Sequence, residues 1–235
     1  MDVHITQFNV QLYFRTPVLD TDKLDEAFSQ SDGFSAPSAA SGDRSGSNTN
    51  HPMQNAVSFF RQGFRIAPVQ SNALPFRILQ VMSYPNILKE PESETLACLD
   101  FVTSSLGDRL GISVQEQLYA VRVVYHSIVT GSQEVQRMLS RLTRIDKIPS
   151  LAGKYVGHKN PMDALQLTSR TGGELVHDSW SDMRISQFDT NSYVVTIFNE
   201  TGSLAGAIEF IRNVKQFVAA MMGEMESASL AEPAP

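Results

Sequence analysis

The alternation of apolar and polar positions is clearest at the start of the chain. Ile5, Phe8, Val10, Leu12 and Phe14 interleave with Thr6, Asn9, Gln11 and Arg15. A near two-residue period predicts a strand with one solvated face over 5–18, stopped by Pro17. Asp20 or Thr21 can then cap a short helix carrying Leu24, Ala27 and Phe28 on one side. Further strands are predicted over 57–68 and 75–82, separated by the turn-rich Gln70-Ser71-Asn72-Ala73. Pro91 suits the first turn of a helix, where its missing N–H costs nothing. That helix spaces Leu96, Leu99, Val102 and Leu106 helically, and Gly107 closes it.

The next stretch reads as helix too. Ser113-Val114-Gln115-Glu116 fits a capping box, and Leu118, Val121, Val124, Tyr125 and Ile128 form a stripe interrupted at Gly131. A continuation carries Val135, Met138, Leu139 and Leu142. Strands return over 183–188 and 193–198, joined by the hairpin signal Asp189-Thr190-Asn191-Ser192. A long amphipathic helix closes the pattern, with Leu204, Ala207, Ile208, Ile211, Val214, Val218 and Met221 on one stripe.

Strands from both ends of the chain with helices between them define the α+β class. The expectation is a mainly antiparallel sheet of N- and C-terminal strands, a helical middle segment, and a C-terminal helix packed on the sheet. Residues 29–50 hold seven Ser and three Gly among 22 positions, with Phe34 the one large apolar residue. Such a segment cannot offset its ordering entropy by burial, so a disordered insertion is expected there. The organisation is therefore one domain over 1–226, interrupted at 29–50, with a flexible tail at 227–235. No internal repeat is visible.

Length and charge then narrow the possibilities. At 235 residues and 42% apolar content the chain can bury one sizeable core. Its net charge of −6 argues against a general nucleic-acid or anionic-membrane binder, which needs a positive field to release phosphate counterions. No apolar run approaches the roughly 18 residues of a membrane span. A single cysteine, Cys98, excludes a disulfide framework and a Cys-rich zinc site within this sequence. The first residues show no basic stretch followed by an apolar run, so a cytoplasmic location is expected.

Recognisable chemistry is sparse. His4, His51, His126, His158 and His177 lack HExxH or other close metal spacing, and each reads as a surface or hydrogen-bonded histidine. There is no Walker motif, GxGxxG or GxSxG, so no metal and no cofactor is expected. Cys98 falls on the apolar side of its helix and reads as core. Arg137, Arg141 and Arg144 share one helical face. Two readings stay open for them: complementing a helix C-terminus, or binding an anionic ligand.

One constellation carries a resemblance. Ser169-Arg170-Thr171-Gly172-Gly173 is followed by His177-Asp178, a hairpin and the long final helix. This resembles the C-terminal part of the penicillin-recognising serine hydrolases, the class A β-lactamases and their relatives. There a Lys-Thr-Gly triad ends one strand, two strands follow, and a terminal helix packs on the sheet. The resemblance implies Arg170 as the carboxylate-holding cation, Thr171 as the hydroxyl and Gly172 as the close approach, with His177 and Asp178 nearby. The family's nucleophile, Ser-x-x-Lys on a helix, has no counterpart, since no Ser here is followed three residues later by Lys.

With no complete catalytic set, the expected function is that of a non-catalytic binding or assembly protein. It would act through contacts with a protein partner or by self-association. Met221, Met222 and Met225 near the chain's end are a candidate contact or simply finish the core. The alternative is a degenerate serine hydrolase using Arg170, Thr171, His177 and Asp178.

Overall fold

The computed structural model describes residues 1–16, 23–24, 27–28, 58–69, 77–131, 138, 164–170 and 180–230. Its strands are β1 (Asp2–Phe14), β2 (Phe59–Arg61), β3 (Phe64–Pro68), β4 (Ile78–Ser83), β5 (Leu118–Thr130), β6 (Ala164–Arg170), β7 (Trp180–Gln187) and β8 (Ser192–Thr201). The helices with described bounds are α1 (Pro91–Leu110), α2 (Val114–Gln117) and α3 (Leu204–Leu230). Lys23, Leu24, Ala27, Phe28 and Met138 are also helical.

All eight strands join one sheet in the order β2-β3-β4-β1-β5-β8-β7-β6. Every pairing is antiparallel. The two longest strands, β1 and β5, lie at its centre. The fold is therefore α+β, with strands from both ends of the chain in one sheet and the C-terminal helix packed on it.

The helical reading of 118–130 is overturned. This stretch is β5, and the short helix α2 before it ends at Gln117; of the helical continuation expected over 135–142, Met138 is helical and the rest lies outside the described residues. Leu118, Val121, Val124, Tyr125 and Ile128 fit a 3.6-residue period. The same stretch is also dense in β-branched residues, which lose χ1 freedom in a helix and pack well on a pleated surface. Pairing on both sides, with β1 and with β8, decides for the strand. Ser113 does stand at the N-cap of α2, but its side chain makes no capping hydrogen bond, and the helix lasts four residues.

Other boundaries moved less. The strand expected over 57–68 is a hairpin, folded at Gln62 and Gly63, whose φ values of 42° and 87° suit a two-residue primed turn. Helix α1 runs past Gly107 to Leu110, where Gly111 takes the left-handed cap conformation at φ 62°. Helix α3 continues through Leu230, four residues into the segment read as tail. Residues 29–50 lie outside the described residues.

One face of the sheet is the core. Val3, Ile5, Phe8, Val10, Leu12 and Phe14 of β1 are buried beside Leu118, Val121, Val123, Tyr125 and Val129 of β5. Thr95, Leu99, Val102 and Leu106 of α1 and Ala207, Ile211, Val214, Val218 and Met222 of α3 close over them. Leu24, Ala27 and Phe28 are fully buried on this side as well, with Phe28 5.1 Å from the Phe59 ring. Met222 belongs to the core, whereas Met221 and Met225 are half-buried against it.

At the sheet's centre the Phe8 and Tyr125 rings meet at 5.5 Å, and both side chains are fully buried. Truncating Phe8 there should leave a cavity that no mobile segment can fill. Phe8→Ala should lower the unfolding free energy by about 3–5 kcal/mol in urea denaturation. Phe188→Ala, at a 59% exposed position, should change it by less than about 0.5 kcal/mol.

Candidate functional site

Strand alternation puts every second side chain of this sheet on the face opposite the helices. Residues that pair across strands share a face, so the register lays that face out in rows. One row runs Glu200, Arg122, Gln11, Gln80 and Ala67 across five strands. The next holds Asp182, Phe198, Val124, Asn9, Met82, Arg65 and Phe60. A third holds Gln166, Arg184, Thr196, His126 and Gln7. Among the described residues no helix packs on this face.

The densest contacts lie at the end of the face where β1 finishes and β5 begins. The pairing slips between Tyr13 and Phe14, which leaves Tyr119 as the extra residue of a bulge. Bulges re-aim side chains. Here Tyr119 is 40% exposed, its ring edge-on to Tyr13 with centroids 5.8 Å apart. Arg122 sits over the Tyr13 ring at 5.5 Å and donates to Glu200 Oε2 from Nε at 3.0 Å and Nη2 at 2.7 Å. The Tyr13 hydroxyl donates to Gln11 Oε1 at 2.7 Å. Burial raises the Tyr13 pKa above its usual value, against the opposing pull of the Arg122 charge. Thr16 Oγ1 donates to Gln117 Oε1 at 3.0 Å and closes this end.

Both partners of the Arg122–Glu200 pair are partly exposed, at 36% and 26%. Such a pair contributes only about 0.2–1 kcal/mol to stability. Its chemical importance is orientation: two hydrogen bonds to Glu200 hold one guanidinium over the Tyr13 ring. Elsewhere on the face Gln80 donates to Asn9 Oδ1 at 3.0 Å, and Gln166 donates to Asp182 Oδ2 at 2.7 Å. Phe60 and Tyr84 stack at 6.2 Å near the opposite edge.

Of the site residues singled out in the sequence, Arg170 is among the described residues; it ends β6, the edge strand, and pairs with Trp180 of β7. Thr171, His177 and Asp178 lie outside the described residues, as do Arg137, Arg141 and Arg144. β6 stands four strand spacings from β1, about 19 Å. Helix α1 packs on β1 and β4, on the other half of the sheet. Cys98 is buried on the core side, and burial pushes its thiol up to about 12.

Tyr13, Tyr119, Arg122 and Glu200 were not foreseen. The available signal was partial: Tyr13 has the polar parity of β1, shared with Asn9 and Gln11. Nothing in the sequence could place Arg122 beside Glu200, 78 positions away, while residues 118–130 read as helix. Among the described residues no group of three or more His, Cys, Asp or Glu could hold a metal ion. No helix among them is long and apolar enough to cross a membrane.

No known family model and no curated protein matches this chain. Among solved structures, the crystal structure of the di-domain ARO/CYC StfQ from the steffimycin biosynthetic pathway aligns over 95% of both chains, at 9% identity and a TM-score of 0.20. A likeness that slight carries no argument about this protein.

His126 offers a direct check on the face. Its Nδ1 lies 3.1 Å from Thr196 Oγ1, and burial lowers its pKa below the ordinary 6.5. The folded state thus binds this proton less readily than the unfolded chain. Stability from His126 is complete above the unfolded value and is lost as the pH falls through it towards the folded value. Comparing urea midpoints at about pH 7 and about pH 5, His126→Gln should lose less stability on acidification than the parent. An equal loss in both would show that His126 is solvated like a free imidazole.

Proposed function

We propose that this protein is a cytoplasmic binding protein that docks a protein partner on the helix-free face of its sheet, with Tyr13, Tyr119 and Arg122 as the anchor. The supporting observation is the bulge at Tyr119, which gathers two tyrosines and an oriented arginine at one end of a rigid surface. Tyrosine and arginine dominate the binding energy of protein interfaces. They offer large contact area, a polar tip and little flexibility to lose. The surrounding rows, with Arg65, Asp182, Arg184, Asn9 and Gln11, supply the mixed-charge, hydrogen-bonding rim that such anchors require.

The chemistry favours a protein over a nucleic acid as occupant. The charges on the face alternate in sign, and the whole chain carries −6, so a phosphate backbone would meet no continuous positive field. A broad face of paired strands also suits an extended contact better than a small molecule, which needs a concave site to bury most of its surface.

Affinity purification from the source cells tests the reading, using the parent, a Tyr13→Ala/Arg122→Ala variant and a Phe217→Ser variant. Phe217 is 53% exposed on α3, on the opposite side of the sheet. The expected outcome is a defined partner retained by the parent and by Phe217→Ser, and lost with Tyr13→Ala/Arg122→Ala. Losing two anchor residues should weaken binding at least about 30-fold, given about 1 kcal/mol or more for each hot-spot side chain. A partner held equally by all three proteins, or lost only with Phe217→Ser, would contradict it. A mass of two chains in light scattering, abolished by the anchor substitutions, would make the partner a second copy of this protein.

A further inference from the structure

The strand order conceals a repeat that the sequence does not show. Read outward from the centre, one side of the sheet runs β1-β4-β3-β2 and the other runs β5-β8-β7-β6. Each side opens with a long strand and has helical residues after it, seen at Leu24, Ala27 and Phe28 and at Met138. Three more antiparallel strands and a long helix follow in each. The registers also coincide. On one side Ile66 pairs with Val81 and Val81 with Val10; on the other Ile185 pairs with Val195 and Val195 with Ser127. All six are buried.

The helices follow suit. Thr95, Leu99, Val102 and Leu106 bury with the same spacing in α1 as Ala207, Ile211, Val214 and Val218 in α3. The two halves meet where β1 pairs antiparallel with β5, and the mutual pair at the centre is Phe8 with Tyr125. A local two-fold axis through that pair exchanges the halves. The chain ends obey the same axis. Helix α1 leads through Gly111 and α2 into β5, and Glu226 of α3 reaches Gly131, just past the Thr130 that pairs with Asp2 of β1.

We infer that this protein is a fused dimer, two units of one architecture, 1–112 and 113–235, joined through the β1–β5 seam as an interface of the homodimer type. Helix α1 packs on β1 and β4 of its own unit, and α3 packs on β5 and β8 of its own unit and also reaches β1, so each unit closes part of its core itself. What a unit lacks alone is cover for one long strand, β1 or β5. A bare central strand of this kind has a full row of unpaired backbone groups and a half-buried apolar face, and both are satisfied by another such strand. The partner that fits the seam is therefore the other half of this chain or a second copy of the same half.

Cutting the folded protein tests this. A protease site inserted between Ile112 and Ser113 leaves every paired residue in place; a control site goes between Asp189 and Thr190, in the exposed turn of one hairpin. After cleavage and separation in urea, the pieces from the first cut should each refold to soluble, structured species. Mixed together, they should restore a single 26 kDa particle. The control piece 190–235, one strand and one helix, should stay unfolded when apart, while the piece 1–189 keeps the first unit folded and loses the second. A circular permutant beginning at Ser113, with Pro235 joined to Met1, should unfold at the same urea midpoint as the parent and serves if insertion blocks folding. Pieces from the first cut that neither fold apart nor recombine, the same behaviour from both cuts, or an unfolded permutant would overturn the inference.

Discussion

The antiparallel pairing of β1 with β5 is the constraint on which the rest of the molecule rests. These strands are 13 residues each, longer than any other in the sheet, and they supply its central ladder. Phe8 and Tyr125 face one another across it beneath the helices, so the seam carries backbone hydrogen bonds and a buried aromatic contact at once. Each strand then templates its own outward series: β1 pairs with β4, and β5 with β8. Burial of one face fixes the register strongly, because a slip of one residue would turn the whole apolar set to the other side.

A detail beside the seam shows how tightly that register is held. Ser83, buried at the end of β4, accepts from the Phe8 amide at 2.9 Å and donates to the Phe8 carbonyl at 3.2 Å. The hydroxyl takes the place of a ladder partner just where β4 ends. The Phe8 N–H and C=O are thus both satisfied by one hydroxyl while its ring stays committed to Tyr125. An unpaired backbone group at such a buried position would cost about as much as a lost hydrogen bond, about 1–3 kcal/mol.

Much of this was legible in the sequence wherever one physical signal dominated. The alternation in β1, the hairpin between β7 and β8, and the stripe of α3 each admit one period, and each element formed where expected. β5 failed because its apolar residues satisfy two periods, and only tertiary pairing breaks the tie. The short β2–β3 hairpin was read as one strand because Gln62-Gly63 is a minimal turn inside an otherwise apolar run. The Tyr13–Tyr119–Arg122 cluster was less legible still. It depends on a bulge, which shifts one residue, and on a contact between Arg122 and Glu200 that exists only once β5 and β8 pair. A two-fold architecture can equally persist while its sequences diverge, since the helix spacing and the burial of alternate strand positions tolerate many apolar choices.

The direct test of this arrangement is nuclear Overhauser spectroscopy on the labelled full chain across residues 8–14 and 118–130. The account predicts interstrand backbone contacts between Asn9 and Val124 and between Gln11 and Arg122, as the register requires. Sequential contacts three residues apart along 118–130, without cross-strand ones, would mean a helix there and would contradict the seam, the face built on it and the two-fold relation together.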